Sequence, residues 1–177
     1  HWDGDGDDTV GLYTPTSGQF HLRNSNTTGP PDIVFAFGGV QPSRQIRAVA
    51  GDFDGDGDHT VGLFRRDTGT WSLRNTNSAG PADLQFVFAP GNPSGASGPV
   101  VGDWDGNGTE TVGLFEARQE LNDLLLYSLS NTNAPGPADL NWSWGGTNSG
   151  SFDVGGNSGV VGDWDGNGTH TTGFRAS

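Results

Sequence analysis

The sequence predicts an all-β chain of tandem four-stranded, blade-like repeats of about 50 residues. Four segments align without gaps: HWDGDGDDTVGLY at 1–13, DFDGDGDHTVGLF at 52–64, DWDGNGTETVGLF at 103–115 and DWDGNGTHTTGF at 163–174. Their aromatic residues Trp2, Phe53, Trp104 and Trp164 are spaced by 51, 51 and 60 residues. Short apolar runs alternate with period 2, as Ile33, Phe35 and Phe37 do. With 31 Gly and 10 Pro among 177 residues, the chain is rich in turn formers and poor in material for a large helical core.

Each full repeat reads as four strands. The first precedes an acidic loop, as in Pro99-Val100-Val101 and Gly159-Val160-Val161. The second follows that loop, over Thr9–Tyr13, Thr60–Phe64 and Thr111–Phe115. Turn residues come next, Thr14-Pro15-Thr16-Ser17-Gly18 and Asp67-Thr68-Gly69, where Pro and Gly supply the dihedrals of a hairpin. The third strand covers Gln19–Asn24, Thr70–Asn75 and about Leu124–Ser130. A polar loop follows, in which Leu22-Arg23-Asn24-Ser25-Asn26 matches Leu73-Arg74-Asn75-Thr76-Asn77 and Leu129-Ser130-Asn131-Thr132-Asn133. Its Asn-x-Asn segments read as turns that cap the loop. The fourth strand covers Ile33–Phe37, Leu84–Phe88 and Leu140–Trp144. Only Gln119–Leu126 has helical character, and the matching stretch of the other repeats is a hairpin.

The expected organisation is one continuous repeat domain. Repeat one is 1–50 and lacks its first strand, repeat two is 51–101, repeat three is 102–161 and nine residues longer, and a partial repeat four is 162–177. Such units are β-propeller-type blades, and closed rings typically need about 4–8 of them. Three units plus a partial fourth are therefore expected to stay open or to be completed by a neighbouring copy. The expected partner is a head-to-tail copy or further repeats of a parent chain, with the first strand of repeat four pairing onto the open edge of repeat one. The chain begins at His1 with nothing resembling a leader, as in a processed product or an excised piece.

Net charge is −13, and all eight basic residues are Arg. So few cations cannot neutralise a row of phosphates, so nucleic acid is excluded as a partner. Cysteine is absent, which excludes disulfides and thiolate metal sites. No apolar run approaches the roughly 18 residues of a membrane-inserting helix. There is no Ser/His/Asp order, phosphate-cradling loop or isolated acid pair, so no enzyme is expected.

Twelve Asp fall in four clusters: Asp3, Asp5, Asp7, Asp8; Asp52, Asp54, Asp56, Asp58; Asp103, Asp105; and Asp163, Asp165. Carboxylates so close repel one another unless something positive sits among them. In the second copy they occupy loop positions 1, 3 and 5, with Gly57 at position 6. That is the first half of the D-x-[DN]-x-[DN]-G calcium loop. Calcium takes six to eight oxygens at about 2.3–2.6 Å, and a curled loop turns alternate side chains inward. The position-12 Glu of an EF-hand is replaced by Leu12, Leu63, Leu114 and Phe174, and no helix flanks the loop. The motif is thus a calcium loop in a β context.

Loop, flanking strands and period together resemble the FG-GAP repeats of integrin α-chain propellers and their bacterial VCBS-type relatives, over the whole chain. That resemblance implies a D-x-D-x-D-G-x-x-D loop holding one Ca²⁺ per blade. Carried over, the ligands are Asp52, Asp54, Asp56, the carbonyl of Asp58 and Thr60 at position 9. The corresponding sets are Asp3, Asp5 and Asp7; Asp103, Asp105, Asn107 and Thr109; and Asp163, Asp165, Asn167 and Thr169. Position 9 is Thr9, Thr60, Thr111 and Thr171 where the family has Asp, so a hydroxyl or a water replaces a carboxylate. The first copy has His1 at position 1 and is incomplete as given. His1, His59 and His170 beside the loops read as solvated surface.

The expected function is an extracellular or cell-surface, calcium-stabilised repeat module with a structural, adhesive or fibre-forming role. Alternatives are a lectin-like module binding glycans, with Trp142 and Trp144 as a stacking platform, and a non-catalytic appendage of a secreted enzyme. Between-repeat core is the plainer role for both tryptophans. N-x-[ST] acceptors stand at Asn26, Asn107, Asn141 and Asn167; two are loop position 5, which leaves Asn26 as the acceptor best placed for a glycan.

Overall fold

A computed structural model describes residues 2–40, 45–88, 96–118, 124–144 and 158–175. It is all-β, with no helix among the described residues and with 43% of residues in strands. Repeat one gives β1 (Gly11–Thr14), β2 (Gln19–Leu22) and β3 (Ile33–Ala36). Repeat two gives β4 (Ile46–Gly51), β5 (Thr60–Arg65), β6 (Thr70–Leu73) and β7 (Leu84–Val87). Repeat three gives β8 (Ala96–Gly102), β9 (Thr111–Arg118), β10 (Leu124–Leu129) and β11 (Leu140–Trp144). Repeat four gives β12 (Ser158–Gly162) and β13 (Thr171–Arg175). Each repeat is its own antiparallel meander, in the orders β1-β2-β3, β4-β5-β6-β7, β8-β9-β10-β11 and β12-β13. No closed barrel or ring of sheets is found among the described residues.

Two sequence expectations change here. β10 begins at Leu124, where the third strand was expected over about Leu124–Ser130, so the helical character of Gln119–Leu126 is not kept at Leu124–Leu126, while 119–123 lie outside the described residues. The first strand of repeat four is not spare: β12 pairs with β13 along its whole length, from Ser158↔Arg175 to Gly162↔Thr171. That hairpin uses one edge of β12, and in the two-stranded sheet β12-β13 the other edge of each strand has no ladder partner among the described residues.

The core lies between successive sheets. The second strand of repeats two and three is buried on both faces, so it reads as a continuous apolar run rather than an alternating one. Val61 and Leu63 face sheet one and pack with Phe20, Leu22, Phe35 and Phe37. Phe64, with Trp71, Leu73, Phe86 and Phe88, faces sheet three and packs with Val112 and Leu114. Phe115 packs with Val100, Trp104, Tyr127 and Leu129, and Val161 of repeat four closes that cluster. The glycine in the middle of this strand is a space requirement. A Cβ at Gly62 would lie 2.7 Å from Leu73 Cδ2 and 2.9 Å from Val49 Cγ2, and one at Gly113 would meet Leu129 and Val100 in the same way. Between sheets, β4 lies beside β8, and β8 beside β12.

The polar loop between third and fourth strands is organised by one buried cation. The Arg74 guanidinium bonds Asp83 at 2.8 Å, the Pro81 carbonyl, Thr76 and Ser78, and Asp83 also accepts the Asn75 N–H at 2.9 Å. Arg23 does the same in repeat one, where Asp32 accepts the Asn24 N–H. Ser130 stands in that place in repeat three and bonds Asp139 and Thr132.

Candidate metal centre

The acidic loop joins first and second strands, and its shape comes from the position-1 carboxylate. Asp52 Oδ1 accepts the N–H of Gly55 at 2.7 Å and of Asp56 at 3.1 Å, while Oδ2 accepts that of Gly57 at 2.9 Å. Gly55 (φ 77°) and Gly57 (φ 96°) hold left-handed backbone that makes this curl possible. Asp103 repeats all three bonds with Gly106, Asn107 and Gly108. Asp163 accepts the N–H groups of Asn167 and Gly168. The position-5 side chain caps the position-7 N–H throughout: Asp5 to Asp7, Asp56 to Asp58, Asn107 to Thr109 and Asn167 to Thr169. Asn serves this turn as well as Asp, so the loop keeps its shape while its charge falls.

In the second loop Asp52, Asp54 and Asp56 each bring an oxygen within 4.8 Å of the others. The cost of that convergence falls on Asp54, whose carboxyl is pushed above the ordinary 3.8 by burial and then by the charges of Asp56 and Asp52. Asp163, in the outermost loop, is instead held below the usual carboxylate range, chiefly by the Gly168 N–H. A donor set of converging carboxylate oxygens with uncompensated charge fits a hard divalent cation. Asp105 and Asn107, like Asp165 and Asn167, stand at the matching positions with one carboxylate fewer. Asp3, Asp5 and Asp7 are exposed on the first loop, and His1 lies outside the described residues.

Position 9 has a different task from the one expected. The Thr60 hydroxyl is buried and donates to the Arg74 carbonyl at 2.6 Å, with the Gly51 carbonyl at 3.3 Å. Thr111 does the same to Ser130 at 2.6 Å and Gly102 at 3.4 Å. These threonines lock strands together; a carboxylate could not donate such a bond. Position 7 also reaches away from its own loop. The side chain of Asp58 lies against Gly4, that of Thr109 against Gly55 and that of Thr169 against Gly106, each on the loop before.

Two signals were passed over in the sequence. The histidines at loop position 8 are half-buried, not solvated surface. His59 Nε2 lies 3.7 Å from Glu110 Oε2, and Glu110 Oε1 lies 3.3 Å from His170 Nδ1. Glu110 Oε2 accepts the Asp52 N–H at 2.9 Å, and His170 Nδ1 accepts the Asp103 N–H at 3.1 Å. In repeats two and three the second Asn of the Asn-x-Asn pair ties repeats together instead of only capping a turn. Asn77 Nδ2 donates to the carbonyls of Trp2 and His59, and Asn133 Nδ2 to those of Phe53 and Glu110. Recurrence of both positions at a fixed register was the available clue.

Trp142 stacks on Tyr127 with centroids 4.4 Å apart and 10° between planes, and it packs on the core between sheets three and four. The Trp144 side chain lies outside what is described. No protein-family model, no curated protein and no solved structure matches the chain.

Proposed function

We propose that the chain is a calcium-stabilised β-repeat module with a structural or adhesive role outside the cell, of the kind its resemblance to FG-GAP and VCBS-type repeats implies. The observation that carries this is the convergence of Asp52, Asp54 and Asp56 in a loop whose curl recurs in three of the four copies. Asp52, Asp54, Asp56 and the Asp58 carbonyl would hold the ion in repeat two. Asp103 with Asp105 and Asn107, and Asp163 with Asp165 and Asn167, would hold weaker ones. The ion supplies charge and coordination, not chemistry: it neutralises carboxylates that otherwise repel, and so fixes the loops from which the sheets hang. Millimolar extracellular calcium suits loops of reduced charge, since carboxylate count tunes affinity.

Thermal melting of ion-free protein with and without calcium tests the proposal. A single site at 100 times its Kd adds about 2.7 kcal/mol. At about 2–4 °C per kcal/mol for a chain of this size, that is about 5–10 °C. An unchanged melt in millimolar calcium would remove the proposal.

A further inference from the structure

Neighbouring acidic loops are joined through a single peptide unit. The N–H of Glu110, position 8 of the third loop, donates to the Asp52 carbonyl at 2.8 Å, and Glu110 Oε2 accepts the Asp52 N–H at 2.9 Å. His170 holds Asp103 in the same way, with the backbone bond at 2.7 Å and Nδ1 accepting the Asp103 N–H at 3.1 Å. Both main-chain groups of Asp52 and of Asp103 are therefore held from the next repeat. Both carboxylate oxygens of each shape its own loop.

The residues around this contact leave room for it. The first strand ends in glycine, where a Cβ would meet the position-8 side chain: one at Gly51 would lie 2.7 Å from Glu110 Oε2, and one at Gly102 would lie 3.0 Å from His170 Cβ. Position 4 is glycine as well, and the position-7 hydroxyls of the next loop, on Thr109 and Thr169, lie against Gly55 and Gly106. Asn133 spans the same joint, giving its amide to the Glu110 carbonyl at 2.9 Å and to the Phe53 carbonyl at 3.2 Å. The Glu110 side chain is only 13% exposed, so water competes little for its bond to Asp52.

The shared peptide links two ion sites. The Glu110 N–H and the Thr109 carbonyl belong to one planar unit. In a calcium loop of this spacing, position 7 gives its backbone carbonyl to the ion, and in the third loop that residue is Thr109. A cation on that oxygen fixes the plane of the unit and polarises it, which strengthens the N–H as a donor. What that N–H holds is Asp52, the position-1 carboxylate residue of the site before.

We propose that successive loops bind calcium cooperatively, with Glu110 as the positioning residue that couples the Asp103 loop to the Asp52 loop. His170 couples the Asp163 loop to the Asp103 loop by the same pair of bonds. This rests on the calcium reading above and adds that the sites act as a row. The coupling is reciprocal, and about 5-fold in affinity is the lower end of what such linkage gives.

Titration of isotope-labelled, ion-free protein with calcium chloride tests it by nuclear magnetic resonance, with the Gly57 and Gly108 amides reporting loops two and three separately. Asp105→Ala, at an exposed position of the third loop, weakens the response at Gly108 and should raise the calcium midpoint at Gly57 about 5-fold or more. In a Glu110→Ala background that rise at Gly57 should disappear. Glu110→Gln, which keeps an acceptor oxygen for the Asp52 N–H, should restore it. A purely structural Glu110 would lower the melting temperature without changing this ratio of midpoints. Circular dichroism of each variant checks that the fold is kept, and the comparison of wild type with Asp105→Ala stands even if Glu110→Ala does not fold. If neither glycine responds, the calcium reading falls and this inference with it. If both respond but Asp105→Ala leaves the Gly57 midpoint unchanged, the loops bind independently and the coupling alone is overturned. A rise that persists undiminished in Glu110→Ala overturns the role given to Glu110.

Discussion

The Thr60 hydroxyl donates to the Arg74 carbonyl at 2.6 Å, joining the strand that leaves the acidic loop to the loop that follows β6. Thr60→Val therefore leaves a buried carbonyl without its partner. The expected loss is about 1–3 kcal/mol in denaturant unfolding. Calcium affinity should change far less than on truncation of Asp54, because the hydroxyl is committed to the strands. A loss of calcium binding equal to that of Asp54→Ala would make Thr60 a ligand after all.

Leu63 and Leu12 stand at one position of successive repeats and differ in what precedes them. Leu63→Ala opens a cavity against Phe20 and Phe35, and should cost about 2–5 kcal/mol. Leu12→Ala, measured at dilution, should stay within about 0.5 kcal/mol. Comparable losses would mean that sheet one is covered on its outer face in the isolated chain.

Much of this architecture could be read from the sequence, because it follows from local spacing. Period 2 along Leu84–Phe88 and the Gly-Asp loops place the strands and hairpins within a residue or two. The partners of Thr60, Asn133 and Glu110 could not be read that way. Asn133 bonds a carbonyl 80 residues away and Glu110 an N–H 58 residues away, and neither belongs to a periodic pattern. Thr at position 9 looked like a weakened ligand because the loop was considered alone; the strand beside it gives the reason for a hydroxyl. Whether Val10 faced core or solvent depended on a neighbour no local pattern reveals.

Arg74 is buried and holds four oxygens of its loop, with Asp83 as its counter-charge. Arg74→Ala should cost about 1.5–3 kcal/mol, the range for hydrogen bonds to a charged group. The double variant with Asp83→Ala should cost less than the two single losses combined, as measured in a double-mutant cycle, because each single change strands the other charge.

Asp54 carries opposite signs in the two ionic states. Its carboxyl is raised above 3.8, so the folded chain holds that proton more readily than the unfolded one. Its contribution to ion-free stability therefore rises as pH falls towards the raised value and is lost as pH climbs through that window. Asp54→Asn should raise the melting temperature of ion-free protein at pH 7, flatten this slope and reduce the gain from calcium. A variant less stable than wild type in EDTA would show that Asp54 is held by contacts other than charge.

The loops also differ in charge at positions 1, 3 and 5, with three carboxylates in the Asp52 loop and two each in the Asp103 and Asp163 loops. Asp54→Ala should accordingly cost more calcium affinity in calorimetry than Asp105→Ala. Equal or reversed losses would mean that backbone and water ligands set the ranking.

The most direct measurement is equilibrium dialysis of ion-free protein against radioactive calcium up to millimolar concentration. Calcium loops of this design should bind ions at the Asp52, Asp103 and Asp163 loops, with the tightest site removed by Asp54→Ala and the others kept. No uptake at millimolar calcium, or uptake indifferent to Asp54→Ala, would contradict a calcium centre at Asp52, Asp54 and Asp56.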